Sequence, residues 1–201
     1  MLSRYTCWVF DLDGTLTVHQ HDFDAIRAAL GIPAGRLILE YLASLPPAAA
    51  APLHARLAAL EAELCAGAEA APGAHALLAE LAARGHRRGI LTRSTRDNAL
   101  ATLAAAGLAG FFAPADVLGR DDAAPKPAAD GIVRLLARWG GAPGRSVMVG
   151  DFRLDLEAGR NAGVATAHVT SDASQHWPAL TDYRFATLAA LLCALRGQER
   201  T

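Results

Sequence analysis

Residues 7–15, CWVFDLDGT, decide the fold of this chain, because an apolar run leads directly into two carboxylates. The β-branched and aromatic content of residues 6–10 predicts a buried strand. Asp11 and Asp13 follow it, and paired anions repel and lose hydration unless a cation or a proton lies between them. Gly14 and Thr15 are expected to turn the chain and to offer free backbone N–H groups and a hydroxyl to an oxyanion. The stretch therefore predicts a divalent-metal and phosphate site in which Asp11 can act as a nucleophile.

A purely structural interpretation of the same stretch is also open. A strand followed by Asp-Gly is typical of an ordinary hairpin turn. The rest of the chain must distinguish a turn from a site.

Composition narrows the class of protein. The chain has 201 residues, 52% of them hydrophobic, which suits one domain or a core domain with a small insertion. With 19 basic and 20 acidic residues it has no basic field, so we expect neither a nucleic-acid nor a membrane partner. No apolar run approaches the roughly 20 residues that span a bilayer, and the early first strand leaves no room for a signal peptide. Three separated cysteines are typical of reduced thiols, so we expect a cytoplasmic protein.

Lysine usage points to one residue. Lys126 is the only lysine among the 19 basic residues, and it lies between Pro125 and Pro127. Every other basic residue is arginine. A lysine at this one position indicates that the position needs a compact ammonium and that a planar guanidinium does not fit there. The alternative is a surface lysine that is present by chance.

The pattern of apolar residues predicts a helical insertion within an α/β core. Between residues 19 and 70 the apolar spacing predicts only helices, which we place at about residues 23–30, 35–45 and 52–65. After residue 70 strands and helices alternate. The strands are expected at residues 88–92, 116–118, 146–149 and 165–169, and the helices at 74–84, 97–106, 128–139, 154–162 and 188–195. This alternation predicts a doubly wound parallel sheet covered by helices on both faces.

Polar residues follow several of these strands. In such sheets ligands bind at the carboxyl ends of the strands. Thr92-Arg93-Ser94, Lys126 and the pair Asp151 and Asp155 all follow strands, as Asp11 and Asp13 do. Each has an ordinary explanation, such as a helix cap or a solvated charge. A single requirement, that a metal and a phosphoryl group bind at one edge of the sheet, explains all of these polar residues together.

These motifs resemble those of the haloacid dehalogenase-like hydrolases. The matching residues are Asp11-Leu12-Asp13-Gly14-Thr15, then Thr92, then Lys126, then the Gly-Asp-x-x-x-Asp element at residues 150–155. The order is that of the family, and the resemblance covers nearly the whole chain. Within the family, the chain resembles phosphatases with a small helical cap, of the phosphoglycolate phosphatase type. It implies a Rossmann-like core of residues 1–18 and 71–201 with a small all-helical cap of residues 19–70 after the first strand. Arg93 stands where many members of the family have Asn.

The resemblance also implies a mechanism. It makes the chain a Mg²⁺-dependent phosphomonoesterase in which Asp11 is the nucleophile, Asp13 the general acid and base, and Lys126 the neutralising cation. Mg²⁺ would be held by Asp11, Asp151 and the backbone carbonyl of Asp13, with water or Asp155 completing the shell. The expected contacts to the phosphoryl group come from four residues: Gly14, Thr15, Thr92 and Arg93.

Other activities and the substrate are less constrained. Asp13 argues against dehalogenation, whereas a phosphomutase of the same fold and a non-catalytic binding protein stay open. We expect a small phosphorylated metabolite as the substrate. The residues at the cap entrance that are candidates for contacting its leaving group are His19, His21, Asp22, Asp24 and Arg27.

Overall fold

The computed structural model describes residues 2–18 and 23–197. Within these ranges, six strands form one sheet in which every neighbouring pair is parallel. The strands are β1 (Cys7–Phe10), β2 (Arg87–Leu91), β3 (Val117–Leu118), β4 (Ser146–Gly150), β5 (Ala165–Val169) and β6 (Tyr183–Phe185). Their order across the sheet is β3-β2-β1-β4-β5-β6, so β2 and β3 extend the sheet on one side of β1 and β4 to β6 extend it on the other. The predicted α/β class is confirmed.

The helices are α1 (Phe23–Ala29), α2 (Ile38–Ala43), α3 (Pro47–Cys65), α4 (Ala74–Ala83), α5 (Arg96–Ala105), α6 (Asp130–Trp139), α7 (Arg153–Asn161) and α8 (Leu188–Leu195). Four elements differ most from expectation. α3 begins at Pro47 and continues through Pro52. Proline suits the first helical position, where its missing N–H has no partner in any case. α2 begins at Ile38 and not at residue 35, and α6 begins at Asp130 and not at residue 128. The short strand β6 was not predicted.

Alternation along β1 divides the core into two layers. Trp8 and Phe10 pack into the cluster that includes residues of α4, α5 and α8 on one face of the sheet. Cys7 and Val9 belong to the cluster on the other face, which includes residues of α6 and α7. All four side chains are buried, as a central strand of a doubly wound sheet requires.

The first three helices form a separate unit beside this core. They have their own apolar cluster, made of Ile26, Leu30, Ile32, Leu42 and Leu57. We call α1–α3, with their connecting turns, the cap.

The two connections that lead to and from the cap run side by side. The Val18 N–H donates to the Glu69 carbonyl at 2.9 Å, and the Ala71 N–H donates to the Leu16 carbonyl at 2.8 Å. The cap is thereby tethered beside the carboxyl end of β1. Its limits at residues 19 and 70 stay a prediction, because residues 19–22 lie outside the described ranges. No helix in residues 2–18 and 23–197 has both the length and the apolar character that crossing a bilayer requires.

Candidate active site

The carboxyl ends of β1 and β4 bring three charged side chains into contact. The Asp11 N–H donates to the Val149 carbonyl at 2.9 Å, which fixes Asp11 between the two strands. The ammonium of Lys126, only 2% exposed, contacts Asp11 Oδ1 and lies 2.6 Å from Asp155 Oδ1. Residues far apart in the chain therefore form one buried ion-pair triad.

A third carboxylate joins this triad. One oxygen each from Asp11, Asp151 and Asp155 lies within 4.8 Å of the other two. Three carboxylate oxygens at this spacing are the hard ligands that Mg²⁺ prefers, so the donor set fits a divalent cation. The Asp13 side chain is half-buried and lines the cavity at this edge, but it is outside the group of three. The predicted carbonyl ligand of Asp13 stays a prediction.

Hydrogen bonds orient the two acidic residues after β4. Thr15 Oγ1 donates to Asp151 Oδ1 at 2.7 Å. His168 Nε2 lies 3.0 Å from the Asp151 carbonyl, and because a carbonyl only accepts, this nitrogen carries the proton. Asp155 Oδ2 accepts the N–H of Phe152 at 3.0 Å, as in a helix cap.

Gly150 lets Asp155 approach the end of β4. A Cβ added at Gly150 would lie 2.3 Å from the Asp155 Cβ and 2.4 Å from its carboxylate. Real Cβ atoms do not come so close, so any side chain here displaces Asp155. Gly150 is therefore part of the site, because the absence of a side chain leaves space for the Asp155 carboxylate.

Burial and the ion pairs with Lys126 act in opposite directions on the pKa values of this site. Burial raises the pKa of Asp11, the Lys126 ammonium opposes that rise, and the carboxylates of Asp155, Asp151 and Asp13 add to it. Burial lowers the pKa of Lys126, but Asp11 and Asp155 outweigh it and hold that pKa above its ordinary value. Lys126 is therefore a permanent cation that balances part of a dense negative charge.

The hydrogen bonds of the turn after Asp13 differ from the prediction, which expected free N–H groups there. The Gly14 N–H donates to the Thr17 carbonyl and the Thr15 N–H to the Leu12 carbonyl, so these N–H groups are engaged within the turn. The Thr15 hydroxyl is engaged by Asp151. Neither Gly14 nor Thr15 lines the cavity, and Thr15 acts by holding an acidic side chain. The reason is that a turn this tight closes its own hydrogen bonds.

Thr92 lies in the cavity, and its predicted contact with a phosphoryl group stays a prediction. It is buried at the end of β2 and lines the cavity beside Asp11 and Lys126. Its Oγ1 accepts the Ser94 N–H at 3.1 Å. A hydroxyl that accepts through a lone pair keeps its own proton for donation.

Arg93 binds the cap. Its guanidinium holds both carboxylate oxygens of Glu40, which lies in α2, at 2.9 and 2.7 Å. It also donates to the Lys126 carbonyl. Burial raises the pKa of Glu40, but the Arg93 hydrogen bonds and charge hold it below its ordinary value. The predicted anion contact of Arg93 is thus made by a carboxylate of the protein in this structure.

A second contact of cap and core was missed by sequence reasoning. Glu61 of α3 is buried, lies 2.7 Å from Arg120 and accepts from Ser94 and Asn98 at 3.3 Å each. The sequence signal for this contact was Glu61 itself, a charged residue four positions after Leu57 and therefore on the apolar face of α3. Nothing in the sequence marked Arg120 as its partner.

A cavity of about 390 Å³ lies between these groups and the cap. Its polar floor holds Asp11, Asp13, Lys126, Asp151 and Asp155. Its other side, which we call the apolar wall, consists of Ile26, Leu37, Ile38, Leu39, Leu57, Phe152 and Leu154. Polar chemistry and an apolar binding surface therefore share one cavity.

The residues expected at the cap entrance are only partly described. Arg27 lines the cavity, and its guanidinium pairs with Asp24 at 2.7 Å. His19, His21 and Asp22 lie outside the described residues.

Comparison with known proteins connects this geometry to a family. The phosphoglycolate phosphatase of Rhodospirillum rubrum is 33% identical over 184 residues, covering 78% of this chain and 76% of that protein. Pyrophosphatase PpaX of Bacillus velezensis is 39% identical over 93 residues, but the match spans only 46% of this chain and 42% of that protein. A hydrolase of known structure from Pseudomonas syringae has a TM-score of 0.80 at 23% identity, covering 97% of this chain and 100% of that one.

The family model described as haloacid dehalogenase-like hydrolase matches residues 5–163. This range contains β1, the cap and every residue of the buried triad. The chain therefore belongs to the haloacid dehalogenase-like hydrolases.

Proposed function

We propose that this chain is a Mg²⁺-dependent phosphatase that hydrolyses a small organic phosphomonoester through a phosphorylated Asp11. The observation that carries the proposal is the buried contact of Asp11 with Lys126 beside two further acids, Asp151 and Asp155. The Rhodospirillum rubrum relative, named a phosphoglycolate phosphatase, supports the same reaction class. Free cysteines, two of them buried, support a cytoplasmic location.

The first half of the reaction transfers the phosphoryl group to the protein. A carboxylate oxygen of Asp11 attacks phosphorus while the bond from phosphorus to the leaving oxygen breaks. Asp13 gives its proton to that oxygen, so that the product leaves as a neutral alcohol. Lys126 and the Thr92 hydroxyl stabilise the charge on the phosphoryl oxygens.

The second half returns the enzyme to its starting state. Asp13, now ionised, takes a proton from water, and the water oxygen attacks phosphorus. The bond between phosphorus and Asp11 breaks, and inorganic phosphate leaves. Asp11, Asp151 and Asp155 would hold Mg²⁺, which would supply charge neutralisation and orientation of the phosphoryl group.

The test replaces the nucleophile. Asp11→Asn keeps the shape of the side chain but removes the attacking carboxylate, so release of inorganic phosphate from p-nitrophenyl phosphate with Mg²⁺ should fall to background. Asp97→Asn, the same change at an exposed position of α5, should keep wild-type activity. Circular dichroism checks that both variants are folded, and Asp13→Asn provides a second inactive variant at a half-buried position. Clear turnover by folded Asp11→Asn would contradict the proposal.

A further inference from the structure

We infer that the substrate's leaving group is a neutral, mainly apolar alcohol or phenol that carries no second negative charge. This inference rests on the proposed phosphatase function and names its substrate class. Two features of the cavity carry it: the apolar wall and the pairing of the cations.

The apolar wall includes two exposed side chains. Among the described residues, Leu37 and Phe152 are large apolar side chains with 36% and 41% of their surface exposed, and both line the cavity. Exposed apolar side chains gathered at a cavity are typical of a ligand-binding surface. The volume of about 390 Å³ leaves room for a ring beside the phosphoryl group.

The cations at the cavity are already bound to carboxylates. Lys126 contacts Asp11 and Asp155, Arg93 holds Glu40, and Arg27 pairs with Asp24. The predicted metal site and Lys126 balance the charge of the phosphoryl group. A second anion on the leaving group would have to displace Glu40 or Asp24 from its arginine.

The direct test compares two substrates of nearly the same size. Para-methylphenyl phosphate and para-carboxyphenyl phosphate share a ring and differ in the charge of one substituent. We expect kcat/KM to be about tenfold or more higher for the methyl compound, because the cations that line the cavity within the described residues are already paired and the carboxylate would be desolvated beside them. Phosphoglycolate should also be a poor substrate relative to the methyl compound. Equal values, or a preference for either carboxylate, would overturn the inference while leaving the phosphatase function intact.

A variant locates the discrimination at the apolar wall. Leu37→Arg adds an unpaired cation to the cavity at an exposed position, so the preference for the methyl compound should shrink several-fold. Ala51→Arg adds the same charge to an exposed position of α3 outside the cavity lining and should keep the wild-type preference. An unchanged preference in folded Leu37→Arg would contradict the inference. If neither ester is hydrolysed by the wild-type protein with Mg²⁺, the proposed function itself has failed.

Discussion

Lys126 shows that the kind of cation, ammonium or guanidinium, matters at this site. It is the only lysine of the chain, and the structure places its ammonium between Asp11 and Asp155. An ammonium is a compact point charge on a flexible stem, whereas a guanidinium is a planar fork that needs more space. With 2% of its side chain exposed, Lys126 has no room to adjust to the larger group.

We predict that Lys126→Arg lowers kcat/KM by about 100-fold or more, although the charge is unchanged, because the donor no longer sits where phosphoryl charge develops. Steady-state kinetics with p-nitrophenyl phosphate measure the loss. Arg134→Lys, a change of cation at an exposed pair with Asp130, should leave the kinetics unchanged. Near-normal rates in Lys126→Arg would show that the retained lysine has no special role.

The residues that sequence reasoning brought together share one property. Asp11, Lys126 and Asp155 each follow a strand, and parallel strands end at a common edge, so topology alone predicts their proximity. Arg93 and Glu40 also touch, but they are 53 positions apart, and Glu40 lies in a helix of the cap. No strand periodicity fixes where such long side chains meet, so that contact was not predictable.

At the scale of elements, two ion pairs within the described residues join the cap to the core, and they differ in exposure. Glu61 and Arg120 each keep 10% of their side-chain surface. Glu40 and Arg93 keep 43% and 22%. The buried pair, with further donors on Glu61, acts as an anchor for α3, and the more exposed pair holds α2 where the cavity opens.

We predict that the Glu40–Arg93 pair contributes about 0.5–1 kcal/mol of coupling, the range for pairs that water still reaches. A double-mutant cycle of Glu40→Gln and Arg93→Gln on the free energy of unfolding measures it. Because the pKa of Glu40 lies below its ordinary value, the coupling should be complete at neutral pH and vanish as pH falls through the folded-state pKa. Additive effects of the two changes at neutral pH would contradict the prediction.

The elements that sequence reasoning missed are those with weak local signals. β6 has three residues, none fully buried, and it pairs only at the edge of the sheet with β5. Its position depends on contacts such as Asp182 Oδ2 accepting the Thr166 N–H at 2.9 Å, which join distant parts of the chain. By contrast, β1 and β4 are wholly buried, and their continuous apolar runs were enough to locate them.

At the scale of the whole molecule, the net charge of -1 conceals a strong local imbalance. The sheet places Asp11, Asp151 and Asp155 at one edge, and Lys126 neutralises only part of their charge. Folding such a cluster costs free energy through repulsion and lost hydration. A dication bound among these carboxylates would offset that cost, so function and stability are coupled through one site.

We therefore predict that Mg²⁺ stabilises the folded protein. At a concentration about 100 times its dissociation constant, a ligand specific for the native state adds about 2.7 kcal/mol, or a rise of about 5–11 °C in Tm for a domain of this size. Thermal melts with Mg²⁺ and with a chelator measure the shift. Asp151→Asn should lose most of it, whereas Asp97→Asn, which changes an exposed residue outside the cluster, should keep it. A shift of equal size in both variants would mean that Mg²⁺ acts elsewhere on the protein, and no shift in the wild type would mean that the carboxylates are stable without it.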